Sequence, residues 1–357
     1  MRRKRRHKKR YLKKIIFLTI IFITIAGLGS FLYVNYQLDK IKINPITREE
    51  NNSESLSNDE YGSYTKKNIE KDSSKLYDEQ SKTNNSIVNI ALFGVDSRSS
   101  KSDPPHSDCI IIATIDYKHN KIKLSSIMRD TYVAVTGHNQ TKITEAYTYG
   151  GPKLALDTIN YNFDLNIKDY VTVDFNGMTK IIDSLGGIDL DVKKYELREL
   201  NRCIAETGEI EKKSYSLVKT SGLQTLDGIQ TVAYARIRKV GDGDFERTER
   251  QRLILNQIIS KMKTVSPAKY PYIVSELLPS VETSLDKSEI LAVGGKFIFS
   301  GISNLEQQRF PVDGYCKGEV VDDIWYLVPK PSLSTTKEQI YNYIFQDIKP
   351  LPKDPLF

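Results

Sequence analysis

The 357-residue sequence has three cysteines, four histidines and a single tryptophan. Its cysteines match no zinc-binding spacing, and it has no H-E-x-x-H motif. It also lacks a Walker A loop and a G-x-S-x-G nucleophile elbow. Zinc-dependent hydrolysis, P-loop nucleotide hydrolysis and Ser-His-Asp catalysis are therefore disfavoured, the last also because His7 and His119 lie in segments expected to be exposed.

The first fourteen residues contain no acidic residue but ten lysines or arginines. This tail accounts for the formal net charge of +7, because the remainder has 42 basic and 45 acidic residues, a net charge of −3. The body of the chain therefore lacks the general positive charge of a nucleic-acid-binding protein.

Residues 15–36 contain no charged residue and are mostly apolar. A membrane-spanning helix needs about 20 such residues, and the basic flank predicts a cytoplasmic N-terminus by the positive-inside rule. We expect this segment to anchor the chain, with everything after residue 36 outside the cell. A buried core helix conflicts with the basic tail. A cleaved signal peptide, the other alternative, conflicts with the length of the run and with the lack of a clear cleavage site.

Residues 37–86 are polar and rich in serine and asparagine, which predicts an extracellular stalk. In an exported domain, three cysteines leave at least one thiol unpaired within the chain. Cys109 lies in an apolar run, and we expect it to pack as a small hydrophobic residue. A disulfide between Cys203 and Cys316 is an alternative that no sequence feature supports.

From residue 87 onward, apolar runs alternate with amphipathic segments. This alternation predicts a single α/β domain, residues 87–357, with a central, largely parallel or mixed sheet. Strands are predicted at residues 87–96, 109–116, 122–128, 170–175, 188–192 and 231–238, and near 305–310 and 323–329. Helices are predicted at residues 150–163, 176–187 and 246–263, with further helices after residue 266.

Residues 234–252, with the sequence YARIRKVGDGDFERTERQR, contain six basic and four acidic residues. In the predicted strand that starts this segment, Arg236 and Arg238 share one face. In the helix that ends it, Arg247, Arg250 and Gln251 share a stripe. Guanidinium groups gathered at a strand end and a helix start would suit phosphate oxygens.

The alternative for this arginine-rich segment is a solvent-exposed face of ion pairs, because acidic residues are interleaved with the basic ones. Charge alone does not separate the two interpretations. The buried character of the strand favours a site, since it leaves the arginine pair on its outward face. Nucleic acid is a poorer ligand, because the predicted topology is extracellular and the acids would weaken backbone binding.

Aspartates lie at the ends of two predicted strands. Asp96 ends the first strand, and Asp108 precedes the second. Two carboxylates at neighbouring strand ends suit Mg²⁺, although a single aspartate that caps a turn is common. Arg129 and Asp130 follow the third strand. Since ligands of open α/β sheets bind at strand ends, these residues and the arginines are expected to face one crevice.

Seven motifs, in order, resemble the LytR-CpsA-Psr family. The resemblance covers residues 87–263 and lies behind the basic tail and the predicted membrane span. The motifs are NIALFGVDSR, HSDCIIIATID, KLSSIMRDTYVAV, KITEAYTYGGP, VDFNGMTKIIDSLGGIDLDV, LDGIQTVAYARIR and DFERTERQR.

The resemblance implies an extracytoplasmic, membrane-anchored phosphotransferase of a Gram-positive bacterium. It would transfer a glycopolymer, such as teichoic acid or capsular polysaccharide, from an undecaprenyl-diphosphate carrier to a peptidoglycan hydroxyl, with no nucleic-acid partner. The implied fold is an α/β/α sandwich with an apolar groove for the polyprenyl chain. The implied cofactor is Mg²⁺, with Mn²⁺ as an alternative, held by Asp96 and Asp108.

The same resemblance implies a set of diphosphate-binding residues. These are Arg98, Arg129, Arg236, Arg238, Arg247 and Gln251. Catalytic roles are expected for Arg129, Asp130, Arg236 and Arg238, with Asp96 or Asp130 receiving the proton of the attacking hydroxyl.

Two positions depart from the family pattern. His106 stands where the family usually has arginine, and Met128 stands where it usually has proline. Because the charge of a histidine depends on pH near neutrality, His106 is a weaker candidate for binding phosphate. The alternative functions are a polyprenyl-diphosphate phosphatase, a lipid-linked glycan binder, or a transcriptional regulator, which the predicted extracellular topology opposes.

Overall fold

The computed structural model describes residues 36–46, 86–95, 105–266, 269, 272–273, 276, 278–302 and 304–356. A mixed sheet of seven strands lies at the centre of this part of the chain. Within the described residues, the strands of this sheet and of three two-stranded sheets (β5-β6, β8-β9 and β12-β13) are numbered together in chain order. They are β1 (Lys42–Ile43), β2 (Ile87–Val95), β3 (Ser107–Asp116), β4 (Lys121–Ile127), β5 (Tyr132–Val133), β6 (Thr141–Lys142), β7 (Asp169–Asp174), β8 (Ile188–Val192), β9 (Gly222–Leu226), β10 (Val281–Thr283), β11 (Asn304–Phe310), β12 (Cys316–Val321) and β13 (Ile324–Pro329). The sheet order is β1-β10-β7-β2-β3-β4-β11. β7 and β11 run parallel to their neighbours β2 and β4, whereas β3 is antiparallel to both β2 and β4.

Helices cover both faces of the sheet. They are α1 (Glu145–Phe163), α2 (Phe175–Ser184), α3 (Leu197–Glu211), α4 (Gly228–Ala235), α5 (Asp244–Thr264), α6 (Lys287–Ser300) and α7 (Leu333–Phe345). On one face, Phe93 of β2 and Ile112 of β3 share a hydrophobic core with Ile159 of α1. Ile344 of α7 belongs to the same core.

The opposite face of the sheet packs against α5. Ile111 of β3 and Leu124 of β4 form a core there with Leu255. Side chains alternate along each strand, so neighbours such as Ile111 and Ile112 serve opposite faces. Val232 of α4 and Ile254 of α5 belong to a further core that includes residues of α2 and α3. The predicted three-layer α/β/α arrangement around a mixed sheet is confirmed.

The predicted strand at residues 231–238 is wrong. The chain there forms α4, which begins after a capping box: Asp227 accepts from the backbone N–H of Gln230, and the Gln230 side chain accepts from the backbone N–H of Asp227. Arg236 lies at the carboxyl end of this helix, as its C-cap. Arg236 and Arg238 therefore do not share a strand face.

The predicted stalk, residues 37–86, is wrong at its amino-terminal end. Leu38 and Ile41 are buried against Leu278, and β1 pairs with β10. Residues 47–85 lie outside the described residues. The predicted membrane helix, residues 15–36, also lies outside them apart from Tyr36, and within the described residues no helix is long and apolar enough to cross a bilayer.

The alternative of a Cys203–Cys316 disulfide is also wrong. All three thiols are free. Cys203 packs in the core that includes other residues of α3, whereas Cys316 packs in a separate core with Met128. Cys109 packs among apolar residues of the sheet, as predicted.

A buried ion cluster fastens α7 to the sheet. Lys123 of β4 is fully buried. Its Nζ lies 2.7 Å from Oδ2 of Asp116 and 3.0 Å from Oδ1 of Asp347, and it donates to the carbonyl of Ile344 at 3.2 Å. These contacts compensate the desolvation of the ammonium group, which would otherwise be costly.

We predict that Lys123→Ala lowers the free energy of unfolding by about 3–5 kcal/mol, because the buried Asp116 carboxylate loses its ammonium partner. Urea unfolding of the detergent-solubilised full chain, followed by circular dichroism, measures the change. The exposed Lys118 provides the control, and Lys118→Ala is expected to stay within about 0.5 kcal/mol of the parent. A loss below about 1 kcal/mol in Lys123→Ala would contradict the role of this cluster.

Candidate functional site

Four strand ends meet at one edge of the sheet. The parallel strands β2 and β7 end there, the antiparallel β3 begins there, and β4 ends there. Gly94 pairs with Cys109, and Ile110 pairs with Ile127. This register brings Asp108, at the start of β3, close to Arg129, just after β4, as the sequence predicts.

Three arginines surround Asp108. Nη2 of Arg247, on α5, lies 2.7 Å from Oδ2 of Asp108. Nη1 of Arg129 donates to Oδ1 of the same carboxylate. Nη2 of Arg238, in the loop between α4 and α5, lies 3.9 Å from Oδ1. One carboxylate therefore holds three guanidinium groups together, and this set of four residues is called the arginine cluster below.

The carboxylate in the arginine cluster stays ionised. Burial alone would raise the pKa of Asp108, but the charges of Arg247, Arg129 and Arg238 hold that pKa below its ordinary value. Arg247 is 3% exposed, whereas the Arg238 side chain is 42% exposed. Arg238 is therefore the member of the cluster most accessible to a ligand from solvent.

An apolar cavity of about 140 Å³ adjoins the arginine cluster. Leu92 and Val173 line it from the sheet, Met178 from α2, Ala235 from α4 and Leu255 from α5. Its walls are almost entirely hydrocarbon, which suits an aliphatic chain.

The residues that line this cavity include a few polar ones, Asp108, Asp174, Thr231 and Gln251. Gln251 lies one turn of α5 beyond Arg247. Residues at this spacing lie on the same side of a helix, so Arg247 and Gln251 extend from α5 in the same general direction. The arrangement combines an apolar cavity with anion-binding groups beside it.

Arg236 points away from Asp108 and toward α3. Its Nη2 lies 2.9 Å from Oε1 of Glu206, and its Nη1 donates to Oγ1 of Thr207 at 2.5 Å. Its guanidinium also lies 5.5 Å from the ring centroid of Phe175. Arg236 is therefore not part of the arginine cluster. Because the backbone is helical here, the side chains of Arg236 and Arg238 point in different directions.

Arg250 is a buried structural residue. Its Nε lies 2.8 Å from Oε1 of Glu196, its Nη2 lies 2.5 Å from Oε2 of Glu246, and its Nη1 donates to the carbonyl of Ile237 at 3.2 Å. Both Arg250 and Glu196 are buried. This part of the arginine-rich segment therefore fits the ion-pair interpretation, although its members are buried rather than solvent-exposed.

Asp130 lies beside the arginine cluster. Its Oδ1 is 2.8 Å from Nζ of Lys142 and 3.9 Å from Nε of Arg129, and the residue is 4% exposed. Sequence reasoning assigned no role to Lys142, although it lies within the motif KITEAYTYGGP. Its place in a motif shared with the family was the sequence feature that could have indicated a role for Lys142.

The two departures from the family pattern also lie at this edge. Nδ1 of His106 is 2.9 Å from Oγ1 of Thr148 and 3.7 Å from a carboxylate oxygen of Glu145, so α1 holds the imidazole. Met128 is buried, and its sulfur accepts from Oγ1 of Thr248 on α5 at 3.3 Å. Met128 therefore links the end of β4 to the helix that carries Arg247.

Asp96 and Arg98 lie outside the described residues. Of the predicted metal pair, the structure describes Asp108. Carboxylate oxygens are suitable ligands for Mg²⁺, but arginines already bind both oxygens of Asp108. The described residues would therefore accommodate a cation only if a ligand drew those arginines away.

Comparison with known families identifies the chain. The family model of LytR_cpsA_psr matches residues 52–342. The chain belongs to the LytR-CpsA-Psr family. Each of the four residues of the arginine cluster lies within one of the family motifs found in the sequence.

Two curated relatives carry names of transferases. The chain is 33% identical over 235 residues to the polyisoprenyl-teichoic acid–peptidoglycan teichoic acid transferase TagV of Bacillus subtilis, which covers 63% of this chain and 56% of TagV. It is 28% identical over 324 residues to the transferase TagU of Bacillus cereus, covering 88% of this chain and 92% of TagU. The chain thus spans little more than half the length of TagV.

Solved structures share the fold. The crystal structure of Bacillus subtilis TagV superposes with a TM-score of 0.56, at 29% identity, over 74% of this chain and 99% of that one. The Bacillus subtilis family protein YwtF (TagT), with bound octaprenyl pyrophosphate lipid, superposes with a TM-score of 0.52, at 23% identity, over 72% of this chain and 90% of that one. At that identity the TagT comparison shows the fold alone.

We predict that Cys109, on the cavity wall, is chemically inert in the native protein. Burial raises the pKa of Cys109 to about 12, so on the order of one thiol in ten thousand is ionised at pH 8. A disulfide reagent at pH 8 should label it at least ~100-fold more slowly than free cysteine, and fully after unfolding in urea. Cys109→Ser assigns the signal. Rapid native labelling that this variant abolishes would contradict the prediction.

Proposed function

We propose that this protein is a phosphotransferase that moves a glycopolymer from an undecaprenyl-diphosphate carrier to peptidoglycan. One observation carries the proposal: Asp108, at the centre of the arginine cluster, also lines the apolar cavity. A polyprenyl diphosphate has an aliphatic chain and an anionic head, and it needs both features side by side. The names of TagV and TagU support this choice of ligand.

In the proposed reaction, the oxygen of an acceptor hydroxyl forms a bond to the phosphorus next to the glycopolymer. The bridging P–O bond breaks, and undecaprenyl phosphate leaves. Arg129, Arg238 and Arg247 neutralise the charge that develops on the phosphoryl and leaving oxygens. Asp130 takes the hydroxyl proton, and Lys142 holds its carboxylate in place. Gln251, at the cavity wall, donates to the diphosphate.

A divalent cation remains part of this proposal. Asp108, together with Asp96, would hold Mg²⁺ or Mn²⁺ once the diphosphate binds the arginines in place of the Asp108 carboxylate. When bound, the cation supplies further neutralisation of the diphosphate charge. The proposal also includes anchoring by residues 15–36, with the N-terminus in the cytoplasm and the domain outside the cell.

We predict that Arg238→Ala lowers the rate of glycopolymer transfer about 100-fold, because it removes a guanidinium group from the developing charge. The assay uses the full chain in detergent, a polyprenyl-diphosphate-linked teichoic acid donor and peptidoglycan sacculi. It measures glycopolymer bound covalently to the sacculi. Arg198, an exposed arginine on α3, is the matched control, and Arg198→Ala should retain the parental rate.

The products of the same assay separate the alternatives. Lipid monophosphate released without attached glycopolymer would indicate a diphosphatase. Lipid that remains bound and unchanged in the presence of donor, sacculi and magnesium would indicate a binding protein. Either result would contradict the proposed transferase.

We predict that Ala235→Trp reduces the polyprenyl diphosphate bound per protein at least ~10-fold, because an indole overfills a cavity of this size. Mass spectrometry of lipid that co-purifies with the full chain measures the loss. Ala292→Trp, at an exposed position of α6, tests the effect of an added indole elsewhere. Equal lipid in both variants would show that the lipid binds outside this cavity.

A further inference from the structure

A second, polar cleft of about 790 Å³ lies on the other side of α5. Glu249 and Arg252 line it from α5, Gln307 and Arg309 from β11, and Tyr195 from the loop before α3. None of the described residues proposed to bind the diphosphate lines this cleft, although the buried Arg250 of the same arginine-rich segment does. Its lining combines charged groups, amides and aromatic rings, unlike the hydrocarbon walls of the apolar cavity.

The polar cleft lies at the same edge of the sheet as the arginine cluster. β11 runs parallel to β4, and Phe310 pairs with Ile127, so both strands end at this edge. Two consecutive residues of α5 line the two sites, Gln251 the apolar cavity and Arg252 the polar cleft. Helix α5 is therefore the wall between them, and it also carries Arg247.

The charges of the polar cleft disfavour a phosphate-rich polymer as its ligand. Acidic residues outnumber basic ones among those that line it, six to four. The acids are Asp191, Glu196, Asp242, Glu246, Glu249 and Asp313, and the bases are Lys193, Arg250, Arg252 and Arg309. A phosphate-rich polymer would meet repulsion here, whereas hydroxyl and amide groups would find both donors and acceptors.

Two buried polar atoms belong to residues that line the cleft. Nη1 of Arg252 and Oε1 of Gln307 have no hydrogen-bond partner among the described residues. One is a donor and the other an acceptor, and a buried polar atom is costly when unsatisfied. Tyr195 adds a ring that is 51% exposed, and its hydroxyl donates to Oε2 of Glu246 at 3.1 Å.

We infer that the polar cleft is the acceptor subsite, and that it binds a hydroxyl- and amide-rich glycan of the peptidoglycan type. This inference rests on the proposed function. In phosphoryl transfer the attacking and leaving oxygens lie roughly in line across the phosphorus. A carrier lipid on one side of α5 and an acceptor glycan on the other, at the edge of the sheet that carries the arginine cluster, fit that requirement.

The test measures binding of peptide-free glycan strands, released from peptidoglycan by an amidase, to the detergent-solubilised full chain. Calorimetry should show that Tyr195→Ala and Gln307→Ala each raise the Kd for the glycan about tenfold. Both variants should bind octaprenyl diphosphate as the parent does, which also shows that they are folded. Tyr161 on α1 is 53% exposed, and Tyr161→Ala should leave both affinities unchanged.

The inference is overturned if the parent does not bind the strands, or if the cleft variants bind them as tightly as the parent. It is also overturned if soluble teichoic acid competes for the cleft, since the donor polymer would then occupy it. The transfer assay on the same preparations keeps the two proposals separate. Transfer with unchanged variant affinities rejects the subsite alone, whereas weaker glycan binding in the variants without any transfer rejects the transferase alone.

Discussion

The site depends on the ion pairs between Asp108 and three arginines. Like charges at this distance repel one another, and Arg247 is almost fully buried, so the arginines stay together only with a carboxylate among them. Arg129 follows β4, Arg238 precedes α5 and Arg247 lies on α5, so Asp108 also ties three chain segments to one edge of the sheet. The apolar cavity owes its position to the same contacts, because α5 forms one of its walls.

This arrangement prepares the site for an anion. Asp108 carries a single negative charge, whereas a diphosphate carries more and offers more acceptor oxygens, so it competes effectively for the same guanidinium groups. The arginines are already gathered before the ligand arrives, which limits the reorganisation needed on binding. Arg238 is the most exposed of them and can contact the ligand first, whereas Arg247 is fixed by packing.

Much of this edge follows from the sequence. Apolar runs longer than four residues, such as CIIIATID, predict strands buried on both faces, and ligands of such sheets bind at strand ends. The position of Asp108 beside Arg129 follows directly from those two rules. The position of Arg236 could not be predicted in the same way, because TVAYARIR has the β-branched residues and the alternation of a strand. The capping box of Asp227 and Gln230 and the packing of α4 make this segment helical instead.

Other features require the third dimension. The buried pair of Arg250 and Glu196 joins residues 54 positions apart, and no local spacing reveals it. The division of α5 between two spaces follows from helical geometry once its neighbours are known. Consecutive residues point about 100° apart, so Gln251 and Arg252 face different spaces from one rigid element. If the acceptor glycan occupies the polar cleft, the helix that holds Arg247 in place also sets the distance between the two substrates. The packing of α5 against Met128 and, through Leu255, against the sheet then becomes part of the catalytic geometry.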